Sequence, residues 1–374
     1  MDTSMLFSHT KNIIYFNHAS SSPLATTTRE LMKQVVDRLE FGDLDWEFWK
    51  KELGEFRRGG AALLSVTPEE IGFITNTTTG LLAALYSIPF ESGDNVVLTE
   101  DSFPANRVPW FANLPDVEKR QTQVKGIETL EERLMALTDA RTKAIVVDWV
   151  DFFTGYRVDL KLLGDFCMDR GIFLVVDGIQ GCGAVSIDLS KIKVDFFTAA
   201  SAKWLLGPVG AGILYVNKNT LPGLKPAFMG WMSLVWDDFN IFDPLPPLKD
   251  GAARFEAGSY PGLPLVGLVE NLKILNSIGI EEINRKVFKL RKLLLDGLQG
   301  LDAEIISPLD ETHASGILTF RLRDKDSRLL WDTLDKNNVK SSLRKNAIRL
   351  SPHFYNAEAE VQKVLDIVTG FAKS

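Results

Sequence analysis

One stretch in the middle of the chain decides the fold: Ile172-Phe-Leu-Val-Val-Asp177-Gly-Ile-Gln180, which leads on to Ser201-Ala-Lys203-Trp-Leu-Leu-Gly207. Residues 172–176 are wholly apolar, which is typical of a strand covered on both faces of a parallel sheet. Asp177 ends this strand, and ligands of open α/β sheets bind outside the carboxyl ends of the strands. Lys203 has mostly apolar neighbours, which favour an uncharged amine able to attack a carbonyl carbon. We therefore predict that Asp177 and Lys203 are catalytic.

The flanking sequence alternates between strands and helices. Apolar runs predict strands at residues 70–75, 95–99 and 143–148, and helical spacing predicts a helix over 160–170 that ends at Gly171. This alternation from residue 70 to 216 indicates an α/β fold with a mostly parallel sheet. From Gly262 onward the pattern changes to helices and short strands, as expected of a second domain.

Composition limits the classes of function. The chain has 374 residues, 45% of them hydrophobic, and a net charge of −7. It lacks a basic tract with interleaved aromatic residues, so we expect no nucleic acid partner. Without a signal-peptide pattern or an apolar run of spanning length, the expectation is a cytoplasmic protein with no membrane partner. Two cysteines and the four histidines His9, His18, His313 and His353 show no ligand spacing, so we predict no metal site.

Polar residues follow the other predicted strands as well. Thr77 and Thr78 open a helix after the first of them, where free N–H groups and the helix dipole favour a phosphate group. The alternative is a threonine N-cap with nothing bound. Phe103 follows the second strand and Asp151 the third, so both are predicted to lie at the same edge of the sheet as Asp177.

An aspartate at a buried strand end, a desolvated lysine and a glycine-rich stretch together indicate pyridoxal 5'-phosphate as the cofactor. Val-Val-Asp177-Gly-Ile-Gln180 and Lys203-Trp-Leu-Leu-Gly-Pro-Val-Gly resemble the class V aminotransferase family of fold type I. That family includes cysteine desulfurases, kynureninases and isopenicillin N epimerase-like proteins. The resemblance implies a large coenzyme-binding domain over residues 21–261, with a seven-stranded sheet flanked by helices. It also implies a smaller α+β domain over 262–374, near which residues 1–20 pack.

The resemblance also implies roles for individual residues around the coenzyme. Lys203 forms the Schiff base, and Asp177 keeps the pyridine nitrogen protonated. Phe103 stacks on the pyridine ring, although a plain core phenylalanine is the alternative. Gln180 and Asp151 lie near the phenolic oxygen of the coenzyme. The family often has Asn or Gln at the position of Asp151, which leaves the role of this residue open. Ala202 replaces the usual histidine before the lysine, so Ser201 is a candidate for a phosphate contact, with an ordinary loop serine as the alternative.

A later segment implies an assembly of two chains. Arg254-Phe-Glu256-Ala-Gly-Ser259 resembles the family motif Arg-Phe-Glu-x-Gly-Thr, whose final hydroxyl contacts phosphate across the dimer interface. The resemblance therefore implies a homodimer with shared active sites and Ser259 as a cofactor contact. Arg254 and Glu256 are interpreted as a structural ion pair.

The substrate is expected to be held by residues near the chain's two ends. In Leu343-Arg344-Lys-Asn-Ala-Ile-Arg349-Leu-Ser-Pro-His353, Arg349 matches the family arginine that receives the α-carboxylate of the substrate. Arg344 is a candidate for a second anion contact. His18 follows the N-terminal segment that lines the active-site mouth in the family, so it is a candidate substrate contact, with a capping or loop role as the alternative.

The residues favour one reaction without excluding others. A cysteine desulfurase needs a nucleophilic cysteine between the positions of Arg344 and Arg349, where this chain has only Lys-Asn-Ala-Ile. We therefore predict an aminotransferase-like enzyme that converts an amino acid to a keto acid, with Lys203 moving the α-proton. An epimerase needs a second base, for which His18 is a weak candidate. A β-lyase shares every assigned residue, and a non-catalytic pyridoxal-binding protein has no evident need of Arg349.

Overall fold

The computed structural model describes residues 6–8, 12–123, 128–240 and 243–374, so His9 lies outside the described residues. The α-helices of this part of the chain are α1 (Thr26–Glu40), α2 (Trp46–Leu64), α3 (Thr77–Ser87), α4 (Val108–Asn113), α5 (Leu130–Ala136), α6 (Leu160–Arg170), α7 (Gly262–Ile278), α8 (Ile280–Gln299), α9 (Ser327–Lys336) and α10 (Glu358–Lys373). Its strands are β1 (Ile14–Tyr15), β2 (Ile71–Ile74), β3 (Asn95–Thr99), β4 (Glu118–Thr122), β5 (Thr142–Asp148), β6 (Phe173–Asp177), β7 (Phe196–Ala200), β8 (Gly212–Val216), β9 (Ala303–Ile305), β10 (Leu318–Leu322), β11 (Val339–Lys340), β12 (Ser342–Arg344) and β13 (Ala347–Leu350).

Seven strands form the central sheet, in the order β2-β8-β7-β6-β5-β3-β4. Strand β8 runs antiparallel to both of its neighbours, whereas the other pairs are parallel. Strands β5 to β8 are buried along nearly their whole length, which explains why their sequences are apolar runs without alternation. The predicted mostly parallel, seven-stranded sheet is confirmed.

Local signals set the bounds of α6, which leads into the strand that carries Asp177. The Asp159 carboxylate accepts hydrogen bonds from the N–H groups of Lys161 and Leu162, both at 3.0 Å, and so caps the start of the helix. Gly171 ends it with a φ of 65°, a left-handed conformation that favours glycine. The prediction of this helix and of its glycine cap is confirmed. Strand β4 was not predicted, because its sequence Glu-Lys-Arg-Gln-Thr is polar, as befits the edge of the sheet.

The C-terminal part contains a four-stranded antiparallel sheet in the order β12-β13-β10-β9. Its apolar core includes side chains of β10, β13, α8 and α10. Strand β1 pairs in parallel with β11, so the N-terminal segment lies against this part of the chain. Lys345 and Asn346 join β12 to β13 in a two-residue turn with φ values of 43° and 57°. This tight hairpin brings Arg344 and Arg349 onto neighbouring strands.

Among the described residues, no single helix is long and apolar enough to cross a membrane. Helices α7 and α8 meet that length and composition only when they are taken together, and they are bent by 82° at their junction. Both contribute buried apolar side chains to the interior of this fold.

Candidate active site

Lys203 lies on a tight turn that follows β7. The N–H of Leu206 donates to the Lys203 carbonyl oxygen at 3.0 Å, and the N–H of Gly207 donates to that of Ser201 at 2.8 Å. Leu206 has a φ of 58°, which is rare for a residue with a side chain. Its side chain is nevertheless fully buried, as is that of Trp204. Packing of these apolar side chains holds the turn that presents Lys203 to the cleft.

Burial and neighbouring charges set the basicity of Lys203. Its pKa is lowered to about 8, chiefly by burial and also by the positive charges of Arg349 and Arg344, while the carboxylates of Asp177 and Asp148 oppose the shift. A sizeable fraction of the amine is therefore uncharged near neutral pH, as covalent attachment to an aldehyde requires. The structure thus brings Lys203, Asp177 and Arg349 together from three distant parts of the chain.

Asp177 is the last residue of β6, at the same edge of the central sheet as the turn that carries Lys203, and its side chain is 3% exposed. Its Oδ1 atom accepts a hydrogen bond of 2.9 Å from the N–H of Ile179, and its other carboxylate oxygen has no hydrogen-bond partner among the described residues. Burial raises its pKa to about 6, opposed by this hydrogen bond and by Lys203. A largely ionised, buried carboxylate with a free oxygen is suited to hold a protonated ring nitrogen.

The first turn of α3 lies beside the end of β7, a few residues before Lys203. The N–H of Ala200 donates to the Thr77 hydroxyl oxygen at 3.2 Å, and Asn76 caps the helix. Gly80 makes this approach possible, because a Cβ atom there would lie 2.2 Å from the hydroxyl oxygen of Thr198. Thr77 is buried and Thr78 is half-buried. The free N–H groups and dipole of the first turn are thus available to a phosphate near Lys203.

Phe103 covers the Lys203 side chain from the loop after β3. Its ring centroid lies 5.5 Å from the Lys203 Nζ atom and 5.4 Å from the ring centroid of Phe152. The side chain is 44% exposed, so it is not a core phenylalanine. A half-exposed ring beside the reactive amine is free to stack on a flat cofactor, the role predicted for it.

Arg349 is almost completely buried, with 1% of its surface exposed. Its guanidinium donates to the carbonyl oxygen of Phe152, to the Ser20 hydroxyl at 2.6 Å and to the Ser342 hydroxyl at 3.4 Å. Its Nε atom is buried and has no hydrogen-bond partner in the part of the chain that the structure describes. Its pKa is lowered to about 10, chiefly by burial and also by the charge of Arg344, while Asp151 opposes the shift. The guanidinium therefore carries an unused donor next to the lysine.

Three predicted cofactor contacts already have partners within the protein. The Gln180 side chain donates to the Ala19 carbonyl oxygen and accepts from the Trp204 indole, both at 3.0 Å. The Ser201 hydroxyl donates to the Pro208 carbonyl oxygen at 2.5 Å. Asp151 Oδ1 accepts three hydrogen bonds from its own loop, from the N–H of Phe153 and from the N–H and hydroxyl of Thr154. Asp151 therefore shapes this loop, and cofactor contacts by the three residues stay predictions.

His18 does not reach the cleft. It is completely buried, with Nδ1 3.0 Å from the carbonyl oxygen of Ser351 and Nε2 2.9 Å from the hydroxyl oxygen of Tyr355. Burial lowers its pKa well below the usual value. Because both ring nitrogens are bonded within the protein, the structure favours for His18 the capping or loop role that was the alternative to substrate contact.

Arg344 and Ser259 are both exposed. Arg344 ends β12, close enough to lower the pKa values of Arg349 and Lys203. Ser259 lies outside this cluster, where it lines a surface cleft with Thr75 and Thr79 at the start of α3. Their assigned contacts stay predictions.

The interpretation of Arg254 and Glu256 as an ion pair with each other is wrong. Glu256 instead forms a buried ion pair of 2.6 Å with Arg57 of α2 and accepts a hydrogen bond from the N–H of Phe73. Arg254 donates to three backbone carbonyl groups. Such long-range pairing depends on how α2 packs, which neighbouring sequence does not reveal.

The sequence analysis overlooked Asp148, which ends β5. Asp148 is 8% exposed and pairs in register with Asp177 on the neighbouring strand. It accepts hydrogen bonds from the N–H of Phe103 at 3.2 Å and from the Asn106 amide at 2.8 Å. A signal was present, because both strands end in Val-Val-Asp.

The geometry fits pyridoxal phosphate. The free carboxylate oxygen of Asp177 suits the pyridinium nitrogen, the amine of Lys203, whose lowered pKa eases loss of its proton, suits the aldehyde, and the first turn of α3 suits the phosphate. The described residues contain no cluster of three or more His, Cys, Asp or Glu side chains that would hold a metal ion. Fold and site together define a pyridoxal-phosphate enzyme of fold type I.

Comparison with known proteins gives the family. The class-V aminotransferase model matches residues 38–364, and the chain belongs to that family. A probable cysteine desulfurase of Pyrococcus abyssi is 25% identical over 396 residues, covering 98% of this chain and 96% of that protein. The isopenicillin N epimerase of Streptomyces clavuligerus is 24% identical over 397 residues, covering 96% of this chain and 95% of that protein. The predicted class V aminotransferase family is therefore confirmed.

A solved structure shows the same fold. The complex between the cystine C-S lyase C-DES and its reaction product cysteine persulfide superimposes with a TM-score of 0.89 at 21% sequence identity. The alignment covers 98% of this chain and 100% of that one. The predicted fold is thereby confirmed, and the predicted cofactor follows from membership of the class-V aminotransferase family.

Proposed function

We propose that this protein is an aminotransferase-like enzyme that acts on an α-amino acid whose carboxylate is held by Arg349. The observation that carries the proposal is the unpaired Nε atom of Arg349, a buried donor next to Lys203. An unpaired buried donor is unfavourable in the free protein, so a ligand with a matching acceptor gains from pairing with it. A substrate carboxylate supplies such an acceptor together with a negative charge.

The residues around the site have separate tasks in this reaction. Bound pyridoxal phosphate supplies an electron sink for the electron pair left when an α-bond of the substrate breaks. Arg349 fixes the carboxylate and thereby selects the α-bond that breaks. Lys203 Nζ, with a pKa of about 8, accepts the proton from the α-carbon of the substrate and transfers it to a second carbon atom. Phe103 covers the site and excludes water, while Asp177 holds the ring nitrogen in its protonated form.

The cysteine desulfurases among the relatives raise the question of a protein-bound persulfide. Cys167 and Cys182 are both buried, and burial raises the pKa of each thiol to about 12. Between Arg344 and Arg349 the chain makes only the two-residue turn of the β12–β13 hairpin, with no cysteine. A reaction that stores sulfur on a protein thiol is therefore disfavoured.

A carbon–sulfur lyase is the second candidate. Elimination at the β-carbon of an amino acid needs the same lysine and arginine but no protein thiol, since the sulfur leaves with the product. The likeness to the C-DES fold makes this reaction worth testing beside transamination. An epimerase is less well supported, because His18 is completely buried with both ring nitrogens bonded within the protein and so offers no second base.

Product analysis distinguishes these reactions. The purified holoenzyme is incubated with a panel of amino acids including cysteine and cystine, and keto acid, sulfide, ammonia and inverted amino acid are measured. Transamination gives a keto acid and converts the coenzyme to its amino form in equal amount. A lyase gives ammonia, a keto acid such as pyruvate and a sulfur product with the coenzyme unchanged, so free ammonia and the form of the coenzyme, not the keto acid, distinguish the two reactions. Absence of all products with every amino acid would contradict the proposal.

Arg349 offers a direct test of carboxylate binding. Arg349→Lys keeps the charge but removes the planar pair of donors, so we expect kcat/KM to fall about 10- to 150-fold for each hydrogen bond lost. The matched control is Arg321→Lys on the neighbouring strand β10, whose guanidinium pairs with Glu304 away from the cleft. Equal effects of the two changes would remove Arg349 from the substrate site.

We further propose a homodimer in which Ser259 contributes to the partner's coenzyme site. The segment after β8 exposes apolar side chains, with 68% of Phe228, 56% of Met229, 46% of Val235 and 63% of Phe239 accessible. This segment contacts the Ser259 loop, because the N–H of Met232 donates to the carbonyl oxygen of Ala257. A surface this apolar is typical of one that a second chain covers.

Sedimentation velocity tests the dimer. Phe239→Asp is expected to give monomers that bind pyridoxal phosphate more weakly, because a charge in a buried interface is unfavourable. The control is Leu309→Asp, whose side chain is 60% exposed in the C-terminal part. A wild-type monomer with full coenzyme affinity would refute the shared site.

A further inference from the structure

Two buried carboxyl groups lie side by side beneath the coenzyme site. Asp148 and Asp177 end neighbouring parallel strands and are paired in register, so their backbones are about 4.8 Å apart. They are 8% and 3% exposed, respectively. Two carboxylates so close in a site withdrawn from water repel each other strongly, and one of them holds its proton to a higher pH.

The surroundings show which of the two is the weaker acid. Burial raises the pKa of Asp148 well above its usual value, and the charges of Asp177 and Asp151 raise it further, against hydrogen bonds from Asn106 and Phe103. For Asp177 the pKa rises only to about 6, since an N–H group and Lys203 both favour its ionised form. Asp177 therefore ionises first, and Asp148 follows at higher pH.

Asp148 also holds the loop after β3, which carries Phe103, through two hydrogen bonds. Its Oδ2 atom accepts from the N–H of Phe103 at 3.2 Å, and its Oδ1 atom accepts from the Asn106 amide at 2.8 Å. The other amide atom, Asn106 Oδ1, is buried and has no donor among the described residues. If Asp148 is protonated, its O–H group can donate to Asn106 Oδ1, an acceptor that otherwise stays unsatisfied, in a residue that Asp148 already contacts.

We propose that Asp148 is a positioning residue of the coenzyme site: as a neutral carboxylic acid it fastens the Phe103 loop to the end of β5 and leaves the negative charge of the pair on Asp177. One side chain thereby sets both the place of the stacking ring and the charge that faces the pyridine nitrogen. The proposal concerns the coenzyme site and is independent of which amino acid the enzyme converts.

Two variants separate attachment from charge. Asp148→Asn is neutral and of the same shape, so we expect its affinity for pyridoxal phosphate near pH 7 to stay within about threefold of the wild type. Asp148→Ala removes both attachments, so the affinity is expected to fall about 10- to 100-fold. The control is Asp195→Asn, another buried carboxyl, which bonds to Leu174 and Thr220 at the opposite end of the sheet and should leave coenzyme affinity unchanged.

The pH dependence of folding stability in the coenzyme-free protein tests whether Asp148 carries a proton. A carboxyl whose pKa is raised by folding stabilises the fold at low pH, and this stabilisation is lost as pH rises toward the folded value. Between about pH 5 and the folded value, the unfolding equilibrium constant of the wild type should therefore rise up to about tenfold more per pH unit than that of Asp148→Asn. A merely structural carboxylate, ionised in both states, would give the two proteins the same slope.

The results of these measurements test the attachment of the Phe103 loop and the proton on Asp148 separately. Coenzyme affinity lost as fully in Asp148→Asn as in Asp148→Ala would mean that an ionised carboxylate is required, and unchanged affinity in Asp148→Ala would refute the attachment. Equal pH slopes would refute the bound proton. If Asp148→Asn does not fold, Asn106→Leu still tests the attachment by its lower coenzyme affinity. The carboxylic acid band in the infrared spectrum of the unaltered holoenzyme near pH 7 then tests the proton, and its absence overturns the proposal.

Discussion

Replacement of Lys203 by methionine should stabilise the coenzyme-free protein near neutral pH. The wild-type lysine has its pKa lowered from 10.5 to about 8, chiefly by burial, so folding places a charged amine where it is poorly solvated. At about 1.4 kcal/mol per pKa unit this costs about 3 kcal/mol, and residual solvent contact reduces it to about 1–3 kcal/mol. Methionine has a similar length and no charge, so Lys203→Met relieves this cost.

The sign of the pH dependence follows from the same shift. Because the pKa is lower in the folded than in the unfolded chain, the unfolded chain binds more protons between about pH 8 and pH 10.5. Wild-type stability therefore gains from this group as pH rises through that window. The advantage of Lys203→Met should be greatest below about pH 8 and should shrink toward pH 10.5.

Urea denaturation of the coenzyme-free proteins, followed by circular dichroism near pH 7 and near pH 10, measures this difference. The exposed residue Lys363 provides the control, since Lys363→Met should change stability little at either pH. A variant at position 203 that is no more stable than the wild type near pH 7 would refute the reasoning. So would an advantage that grows with pH, because it could not arise from a buried ammonium group.

Three further predictions concern the scaffold. Glu256→Ala should lower the free energy of unfolding by about 3–5 kcal/mol in thermal or urea denaturation, because it leaves the largely buried Arg57 without its counter-ion; a loss below 1 kcal/mol would mean that water replaces the pair. Gly80→Val should weaken coenzyme binding, measured by fluorescence titration, because its side chain meets a threonine hydroxyl of β7 and displaces the first turn of α3. Unchanged affinity would mean that this turn does not bind the phosphate. Cys167 and Cys182 should react with a thiol reagent only on unfolding, and the double serine variant should keep its activity; rapid labelling of the native protein would contradict their burial.

Much of the fold could be predicted because its signals are local. An apolar run reports a strand buried on both faces, and residues such as Asp159 and Gly171 mark helix ends through bonds and φ values within a few residues. The polar edge strand β4 lacked such a signal and was missed. Sequence also indicated Lys203, Asp177 and Arg349, because strand ends and family motifs depend on the order of residues along the chain.

What only the tertiary structure decided is how distant side chains share one site. Strand register set Asp148 beside Asp177, and the β12–β13 hairpin placed Arg349 against Phe152 from the middle of the chain and Ser20 from near its start. Sequence spacing determines neither contact, since both depend on how strands pair and how the C-terminal part packs on the central sheet. The same holds for the basicity of Lys203, because burial and the nearby charges arise only when these segments fold together.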